Sequence, residues 1–234
     1  MFGFYRSSVG KKAVVAVTGL VLFGFVVLHM LGNLKAFLGV DPLTGVHHLD
    51  TYALFLREMG HEFLGKGTAL WLTRIVLLVC LIVHVSTVIQ LQAINAAARP
   101  EQYVHSPHRD STYAARSMFW GGLFLLIFVV YHILHFTTGT LYFQGFVEGR
   151  VYQNVSRAFV MPSILVFYLS AMAVLGFHLY HGAWSLFQTL GLDGPKTNLK
   201  LRNFAKTMAV VVALGFISVP LAIFLGLLPS INRF

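Results

Sequence analysis

Histidine is the residue type in this sequence most able to do chemistry, because six of the 11 histidines lie inside long apolar stretches. The six are His29, His84, His132, His135, His178 and His181. An ionisable side chain is costly inside a bilayer, so such residues usually mark a functional site. A neutral imidazole can bind a metal ion, transfer a proton or hydrogen-bond to a neighbouring helix. Hydrogen bonding would account for one such histidine, whereas six in 234 residues indicate a common function.

The apolar stretches that position these histidines have the length of membrane spans. The chain is 57% hydrophobic and 11% charged, with a mean hydropathy of +0.74, which is typical of a membrane protein with several spans. About 20 apolar residues cross roughly 30 Å of hydrocarbon. Runs of this length predict spans at 13–38, 68–94, 118–142, 159–190 and 207–228. We therefore expect an all-α transmembrane bundle of five helices that forms one domain over residues 1–234.

Lysine and arginine are concentrated in alternate loops, which predicts the orientation of the spans. The N-terminal segment and the loops after the second and fourth spans carry Arg6, Lys11, Lys12, Arg99, Arg109, Arg116, Lys196, Lys200, Arg202 and Lys206. Such loops stay in the cytoplasm, so we expect a cytoplasmic N-terminus, an external C-terminus and a multi-pass protein of the inner (cytoplasmic) membrane. The same distribution accounts for the net charge of +9, and we expect no nucleic acid partner.

Other common kinds of functional site are missing from the sequence. The single cysteine, Cys80, excludes an intrachain disulfide and an iron–sulfur cluster held by thiolates of this chain. The sequence has no C-x-x-C-H motif for covalently attached haem, no glycine-rich phosphate loop and no hydrolase nucleophile motif. We expect no catalytic residue in this chain, and any chemistry must come from the spans.

The depth of the histidines in the predicted bundle arranges four of them as two pairs. With a rise of about 1.5 Å per residue, His29 and His132 fall in the outer half of the membrane. His84 and His178 fall in the inner half, and each pair joins two different helices. This arrangement predicts two stacked b-type haems, each with two axial histidines. Because neither iron would keep an open position, the pattern suits electron transfer rather than oxygen chemistry.

Glycines lie where a porphyrin would need to approach the helix backbone. Gly19 on the first span and Gly121 and Gly122 on the third lie at the inner level, where those helices carry no ligand. Gly182 lies one turn beyond His178. We expect all four to make room for the inner haem, although small residues also pack membrane helices in general.

Four spans carry motifs that are specific when taken together. They read "VGKKAVVAVTGLVLFGFVVLHMLGNL", "VHVSTVIQLQAINAAARP", "RSMFWGGLFLLIFVVYHILHFTTGT" and "GFHLYHGAWSLFQTLG". These motifs resemble the haem-carrying membrane anchor of succinate:quinone oxidoreductases, of the single-subunit, two-haem, five-helix type. The resemblance covers nearly the whole chain. It implies an outer haem held by the first and third helices and an inner haem held by the second and fourth.

The resemblance also selects among neighbouring histidines. The family has a ligand histidine followed four residues later by glycine on the fourth helix, and His178 with Gly182 matches this pattern. His181 then occupies a variable position. By the same matching His132 is the ligand on the third helix, and His135 is its polar neighbour. We expect His135 and His181 to hydrogen-bond a propionate, a quinone or a helix backbone.

Charged residues near the ends of the spans suggest partners for the propionates and the quinone. Arg74 and Arg157 lie at the level of an outer haem, and Arg6, Lys11 and Lys12 at that of an inner one. Glu58 or Glu62 matches, by resemblance, a carboxylate that takes protons during menaquinol oxidation. A glutamate that conducts protons in some relatives lies two residues before the fourth-helix ligand. That position is Gly176 here, so this proton path is not expected.

The resemblance implies an anchor of a succinate dehydrogenase or fumarate reductase. A flavoprotein subunit with FAD would act on succinate, and an iron–sulfur subunit would relay electrons to the inner haem. The outer haem would exchange them with a quinone, expected to be menaquinone. The cytoplasmic loops at 99–116 and 192–202 would dock the iron–sulfur subunit, and the chain itself would hold no active site for succinate.

Two other kinds of protein share part of this pattern. The cytochrome b anchor of a membrane hydrogenase or formate dehydrogenase also has paired transmembrane histidines, and neighbouring flavoprotein genes would distinguish it. A haem-free proton-coupled transporter could use membrane histidines as well. Such a transporter would be expected to have carboxylates inside its helices, and these spans have essentially none.

Overall fold

Helices make up the regular structure of the computed structural model, which describes Tyr5 and residues 7–98, 113–141 and 145–230. These residues contain no strand, and their extended pairing is an isolated bridge between Val40 and His47. The prediction of an all-α chain is therefore confirmed. Arg6 and most of the predicted docking loop at 99–116, with Arg99 and Arg109, lie outside the described residues.

Five long helices correspond to the five predicted spans. The helices are α1 (Ser8–Leu34), α2 (His48–Glu58), α3 (His61–Leu64), α4 (Thr68–Ala97), α5 (Tyr113–His132), α6 (Val151–Phe159), α7 (Pro162–Thr189) and α8 (Asn198–Phe224). A 3-10 turn, Lys35–Leu38, extends α1, and a π-helical turn, Ile133–Thr137, extends α5. Helices α1, α4, α5, α7 and α8 are long and apolar enough to cross a membrane. This confirms the prediction of five candidate membrane helices.

One difference from the predicted boundaries lies before α7. The fourth span was predicted from residue 159, but α6 ends at Phe159 and α7 begins at Pro162. Proline favours the first turn of a helix because its missing N–H needs no partner there. It also disfavours helical dihedrals in the preceding residue, and Met161 is extended. The short helix α6 is therefore separate from the span.

The other spans also differ from their predicted limits. The helical part of the third span ends at Thr137 rather than at residue 142, and Gly139 follows with a φ of 71°. Helix α8 begins at Asn198, nine residues before the predicted start, and ends at Phe224. Helices α2, α3 and α6 were not predicted as elements.

The packing leaves α4 at one side of the bundle. Helix α7 packs on α8 and α5, and α1 packs on α4, α7 and α8. The close approach of α1 to α8 depends on Gly215, since a Cβ at this position would lie 2.5 Å from the sulfur of Met30. Thr87 is the one described residue of α4 that is buried. Space therefore remains between α4 and the helices opposite it.

Candidate functional site

A large cavity occupies the space between α1, α4, α5 and α7. Its volume is about 1990 Å³, beyond the roughly 300–1,000 Å³ typical of one small-molecule site. Its walls are mostly aliphatic and phenylalanine side chains. The histidines that line it are His29, His84, His132, His178 and His181. All four predicted haem ligands thus face one apolar space.

His29 and His132 meet across this cavity. Their ring centroids lie 5.8 Å apart, and the ring planes are nearly perpendicular at 80°. His29 comes from α1 and His132 from the last residue of α5. Metal–nitrogen bonds to histidine are about 2 Å long, so this separation suits two imidazoles on opposite sides of one metal ion. The structure therefore brings together two histidines that were predicted to pair from their depth in the membrane.

His84 and His178 face the cavity against glycines. A Cβ on Gly19 would lie 3.3 Å from Cε1 of His84, and a Cβ on Gly122 would lie 3.6 Å from Cε1 of His178. Helices α1 and α5 thus present bare backbone to the rings on α4 and α7.

The other two predicted glycines differ in their surroundings. Gly182 lines the cavity, and a Cβ there would have no atom within 4 Å. A Cβ on Gly121 would instead lie 3.3 Å from Cγ1 of Val174. Gly121 therefore serves the packing of α5 on α7, whereas its neighbour Gly122 faces a histidine.

Two histidines were predicted as polar neighbours, and the structure separates them. His135 is 1% exposed and lies away from the cavity, with its Nδ1 3.0 Å from the hydroxyl of Tyr168. His181 lines the cavity beside His178. Within the described part of the chain, the buried Nδ1 atoms of His178 and His181 have no hydrogen-bond partner. Buried polar atoms are normally paired, so a bound group is expected near them.

Among the predicted basic residues that the structure describes, only some line the cavity. Arg74 lines it, and its guanidinium lies 4.9 Å from the ring of Trp71. Lys12 lines it at the other end, but buried Lys11 instead donates to Oε1 of Gln90. Arg157 points away and donates to the carbonyl of Gly145 at 3.2 Å. Lys11 and Arg157 are thus occupied with protein partners.

Arg57 and Lys66 also line the cavity, at the predicted outer end, and the sequence had not singled them out. Lys66 also lines a second cavity of about 730 Å³ between α2 and α3. Glu58 and Glu62, the predicted quinone residues, line this second cavity. The ammonium of Lys66 lies 3.5 Å from the carboxylate of Glu58. Lys66 therefore connects the two cavities.

The sequence did not predict that two hydroxyl side chains, those of Thr18 and Tyr168, lie beside the histidines. Thr18 lies 3.1 Å from Nδ1 of His84, and Tyr168 lies between His132 and His135. A hydroxyl inside an apolar span is a weaker signal than an imidazole, because it can bond to its own helix. Thr18 does so as well, since it donates to the carbonyl of Val14 at 2.8 Å.

These features together suit a particular kind of ligand. An apolar cavity lined by imidazoles from four different helices fits a flat group that takes nitrogen ligands on both faces. Basic side chains at both ends fit anionic substituents at its edge. A scan against protein-family models, a search of curated proteins and a search of solved structures each found no match for this chain.

Proposed function

We propose that this chain is the membrane anchor and dihaem cytochrome b subunit of a succinate:quinone oxidoreductase. The observation that carries the proposal is the pair His29 and His132, whose rings face each other across an apolar cavity. His84 and His178 line the same cavity from two other helices. Two haems with histidine on both faces would need two such pairs.

The histidines would hold one haem between α1 and α5 and the other between α4 and α7. A haem with both axial positions filled supplies one-electron transfer, since it keeps no position open for oxygen. Phenylalanine rings lie against the first pair. Phe25 stacks on His29 at 5.3 Å, Phe216 lies 5.7 Å from His29, and Phe128 lies 5.8 Å from His132.

Basic side chains would balance the negative charge of the haem propionates. Arg57, Lys66 and Arg74 line the predicted outer end of the cavity, and Lys12 lines the predicted inner end. A cation beside a carboxylate forms a charge-assisted hydrogen bond, which is stronger than a neutral one. These four residues support a ligand with anionic groups at both ends of the cavity better than Lys11 and Arg157 do.

The identity of the complex comes from the resemblance of the four quoted motifs to the family. It implies a flavoprotein subunit with FAD and an iron–sulfur subunit on the cytoplasmic side, with a quinone, expected to be menaquinone, as the electron partner in the bilayer. In this assignment the chain carries electrons between the iron–sulfur subunit and the quinone. The five apolar helices support a site within the membrane.

A pyridine haemochrome assay of the purified chain tests the haem assignment. We expect about two b haems per chain, and we expect the single variants His29→Ala, His84→Ala, His132→Ala and His178→Ala each to lose one. His61→Ala is the matched control, because His61 lines the second cavity and not the first. His135→Ala and His181→Ala should also keep both haems. A wild-type chain that elutes as one folded species without haem would contradict the proposal.

The identity of the complex can be tested by finding which substrate reduces the haems. In membranes containing the native complex, succinate should reduce the b haems, with the extent reported by their α-band absorbance. Reduction by formate or hydrogen, with no response to succinate, would assign the chain to another respiratory dehydrogenase. Purification of the native complex should also yield one FAD-containing subunit and one iron–sulfur subunit.

A further inference from the structure

A buried hydroxyl joins one predicted ligand histidine to a histidine outside the cavity. The hydroxyl of Tyr168 lies 3.4 Å from Nδ1 of His132 and 3.0 Å from Nδ1 of His135. Tyr168 is 5% exposed and His135 is 1% exposed. Tyr168 is on α7, whereas both histidines belong to α5 and its π-helical extension. The contact therefore links the ligand helix to its neighbour.

The π-helical turn helps to place both imidazoles on the same hydroxyl. Residues three apart on a helix share a face, so His135 follows His132 on the side that meets α7. The N–H of Thr138 donates to the carbonyl of Ile133 at 3.0 Å, the wide spacing of a π-helix. Such turns are rare and are often found at functional sites. The ring of Tyr168 is fixed between Phe128 and Phe159, each at 5.1 Å.

The hydrogen count at this hydroxyl gives each histidine a role. A tyrosine hydroxyl has one proton to donate and lone pairs that accept. With the donated proton assigned to the shorter contact, to His135, the hydroxyl would accept from Nδ1–H of His132. A neutral imidazole carries one N–H, and Nε2 of His132 is then left with a free lone pair. This is the form of histidine that binds a metal ion.

Thr18 provides the same arrangement for His84. The one proton of its hydroxyl is directed to a backbone carbonyl, with Val14 at 2.8 Å and Val15 at 3.2 Å. The contact of 3.1 Å with Nδ1 of His84 must then have the histidine as donor. Nε2 of His84 is again left unprotonated. Thus a hydroxyl from a neighbouring helix supports one histidine in each predicted pair.

We infer that Tyr168 and Thr18 are positioning residues that hold His132 and His84 with the proton on Nδ1 and with Nε2 available to haem iron. His135 supports Tyr168 by accepting its proton. The inference rests on the proposed function and extends it to residues beyond the ligands. A hydrogen bond from the second ring nitrogen fixes the orientation of a ligand histidine and makes its metal-binding nitrogen a stronger donor.

Redox titration of the two haems in Tyr168→Phe and Thr18→Val tests this role. A weaker donor nitrogen stabilises oxidised iron less, so each variant should raise the midpoint potential of one haem. We expect about a tenfold change in the equilibrium constant for reduction of the haem iron, which corresponds to about 59 mV for a one-electron couple. Tyr168→Phe should affect the haem of His29 and His132, and Thr18→Val the haem of His84 and His178. The electron paramagnetic resonance signal of the same low-spin haem should shift.

Matched controls separate hydrogen bonding from packing. Tyr131→Phe removes a hydroxyl from the same aromatic cluster, where the Tyr131 ring lies 6.2 Å from that of Tyr168. It should leave both potentials unchanged. Thr18→Ser keeps the hydroxyl, so its midpoint potentials should match those of the wild type. Unchanged potentials in both test variants, or an equal shift in Tyr131→Phe, would overturn the inference while leaving the two haems in place.

A second measurement does not depend on haem. Nitrogen-15 NMR of histidine-labelled protein prepared without haem reports which ring nitrogen carries the proton, with His132→Asn and His84→Asn used to assign the signals. We expect both histidines to be protonated at Nδ1, and we expect Tyr168→Phe to change this for His132 alone. Protonation at Nε2 in the wild type would overturn the inference. Absence of haem from the wild type would instead count against the proposed function.

Discussion

The backbone N–H of Tyr152 donates a hydrogen bond of 2.8 Å to the carboxylate of Asp50, 102 residues earlier in the chain. Tyr152 is 1% exposed, and its hydroxyl donates to the carbonyl of Pro229 at 2.8 Å. Its ring also stacks on that of His47, with centroids 3.5 Å apart. One residue thus joins α2, α6 and the segment that follows α8. These contacts close the end of the bundle near Arg74 and Lys66.

Replacement of Asp50 should destabilise this end of the bundle. In Asp50→Ala the N–H of Tyr152 at the start of α6 loses its buried acceptor, and an unpaired buried group costs about 1–3 kcal/mol. We expect a loss of this size in the free energy of unfolding, measured by chemical denaturation in detergent. Asp41→Ala is the control, because the carboxylate of Asp41 accepts from Leu43 in an exposed turn. A larger loss in the control would contradict this assignment.

The free energy of unfolding should depend on pH through the protonation of His47. Burial lowers the pKa of His47 below its usual value, with a smaller opposing effect from the carboxylate of Asp50 and a further lowering by His48. The folded state therefore favours the neutral imidazole. Its contribution to stability is complete above the unfolded pKa of about 6.5, and it declines as the pH falls below that value.

The variant His47→Asn should remove this part of the pH dependence. Asparagine can still cap α2, as Nδ1 of His47 does by accepting from the N–H of Leu49 at 3.2 Å. We expect the difference in unfolding free energy between wild type and variant to be largest near neutral pH and to narrow as the solution is acidified. A difference that stays constant from pH 7.5 to about pH 5 would show that His47 does not titrate on folding.

The sequence predicted the five candidate membrane helices but not the three short helices outside them, α2, α3 and α6. Apolar length is a strong signal for a span, because a bilayer requires about 20 apolar residues. Helix α6 has only nine residues and mixes buried Tyr152 and Phe159 with buried Asn154. Its boundary with α7 lies inside a continuous apolar run, where hydropathy does not change. The backbone preference imposed by Pro162 is the local signal that marks it.

Within the site, the depth of each residue along its helix could be predicted, but the direction in which its side chain points could not. A regular helix rise places His29 level with His132, and the two rings do meet. Successive residues on a helix point about 100° apart, so neighbours at one depth face different surroundings. Lys12 lines the cavity whereas Lys11 bonds to Gln90. Gly122 faces His178 whereas Gly121 faces Val174. Tertiary packing decides which neighbour faces the site.

Two glycines on α1 should respond differently to a large side chain. A Cβ on Gly19 would lie 3.3 Å from the ring of His84, whereas a Cβ on Gly24 would have no atom within 4 Å. Gly19→Leu should displace the His84 ring and reduce the haem content from about two to about one per chain. Gly24→Leu should keep both haems. Equal haem content in the two variants, measured by pyridine haemochrome, would show that Gly19 is not needed beside the ligand.

Close packing of α1 on α8 should be sensitive to residue 215. A Cβ at Gly215 would lie 2.5 Å from the sulfur of Met30 and 2.8 Å from its Cγ. Gly215→Ala should therefore destabilise the chain by about 1–3 kcal/mol through overpacking. Since Met30 is the residue in contact, Met30→Ala should reduce this penalty when the two changes are combined. A double-mutant cycle with no coupling energy would contradict direct contact between the two side chains.

Arg74 and Arg157 should differ in their effect on the haem that we propose between His29 and His132. Arg74 lines the cavity, whereas Arg157 donates to the carbonyl of Gly145. Loss of a cation near a haem stabilises its oxidised form, because the oxidised iron carries one more positive charge. Arg74→Gln should lower the midpoint potential by about 59 mV, which is about a tenfold change in the one-electron equilibrium. Arg157→Gln should leave the potential unchanged and instead weaken the loop at Gly145. A shift in Arg157→Gln alone would reverse the assignment of the two arginines and place the propionates beside α6.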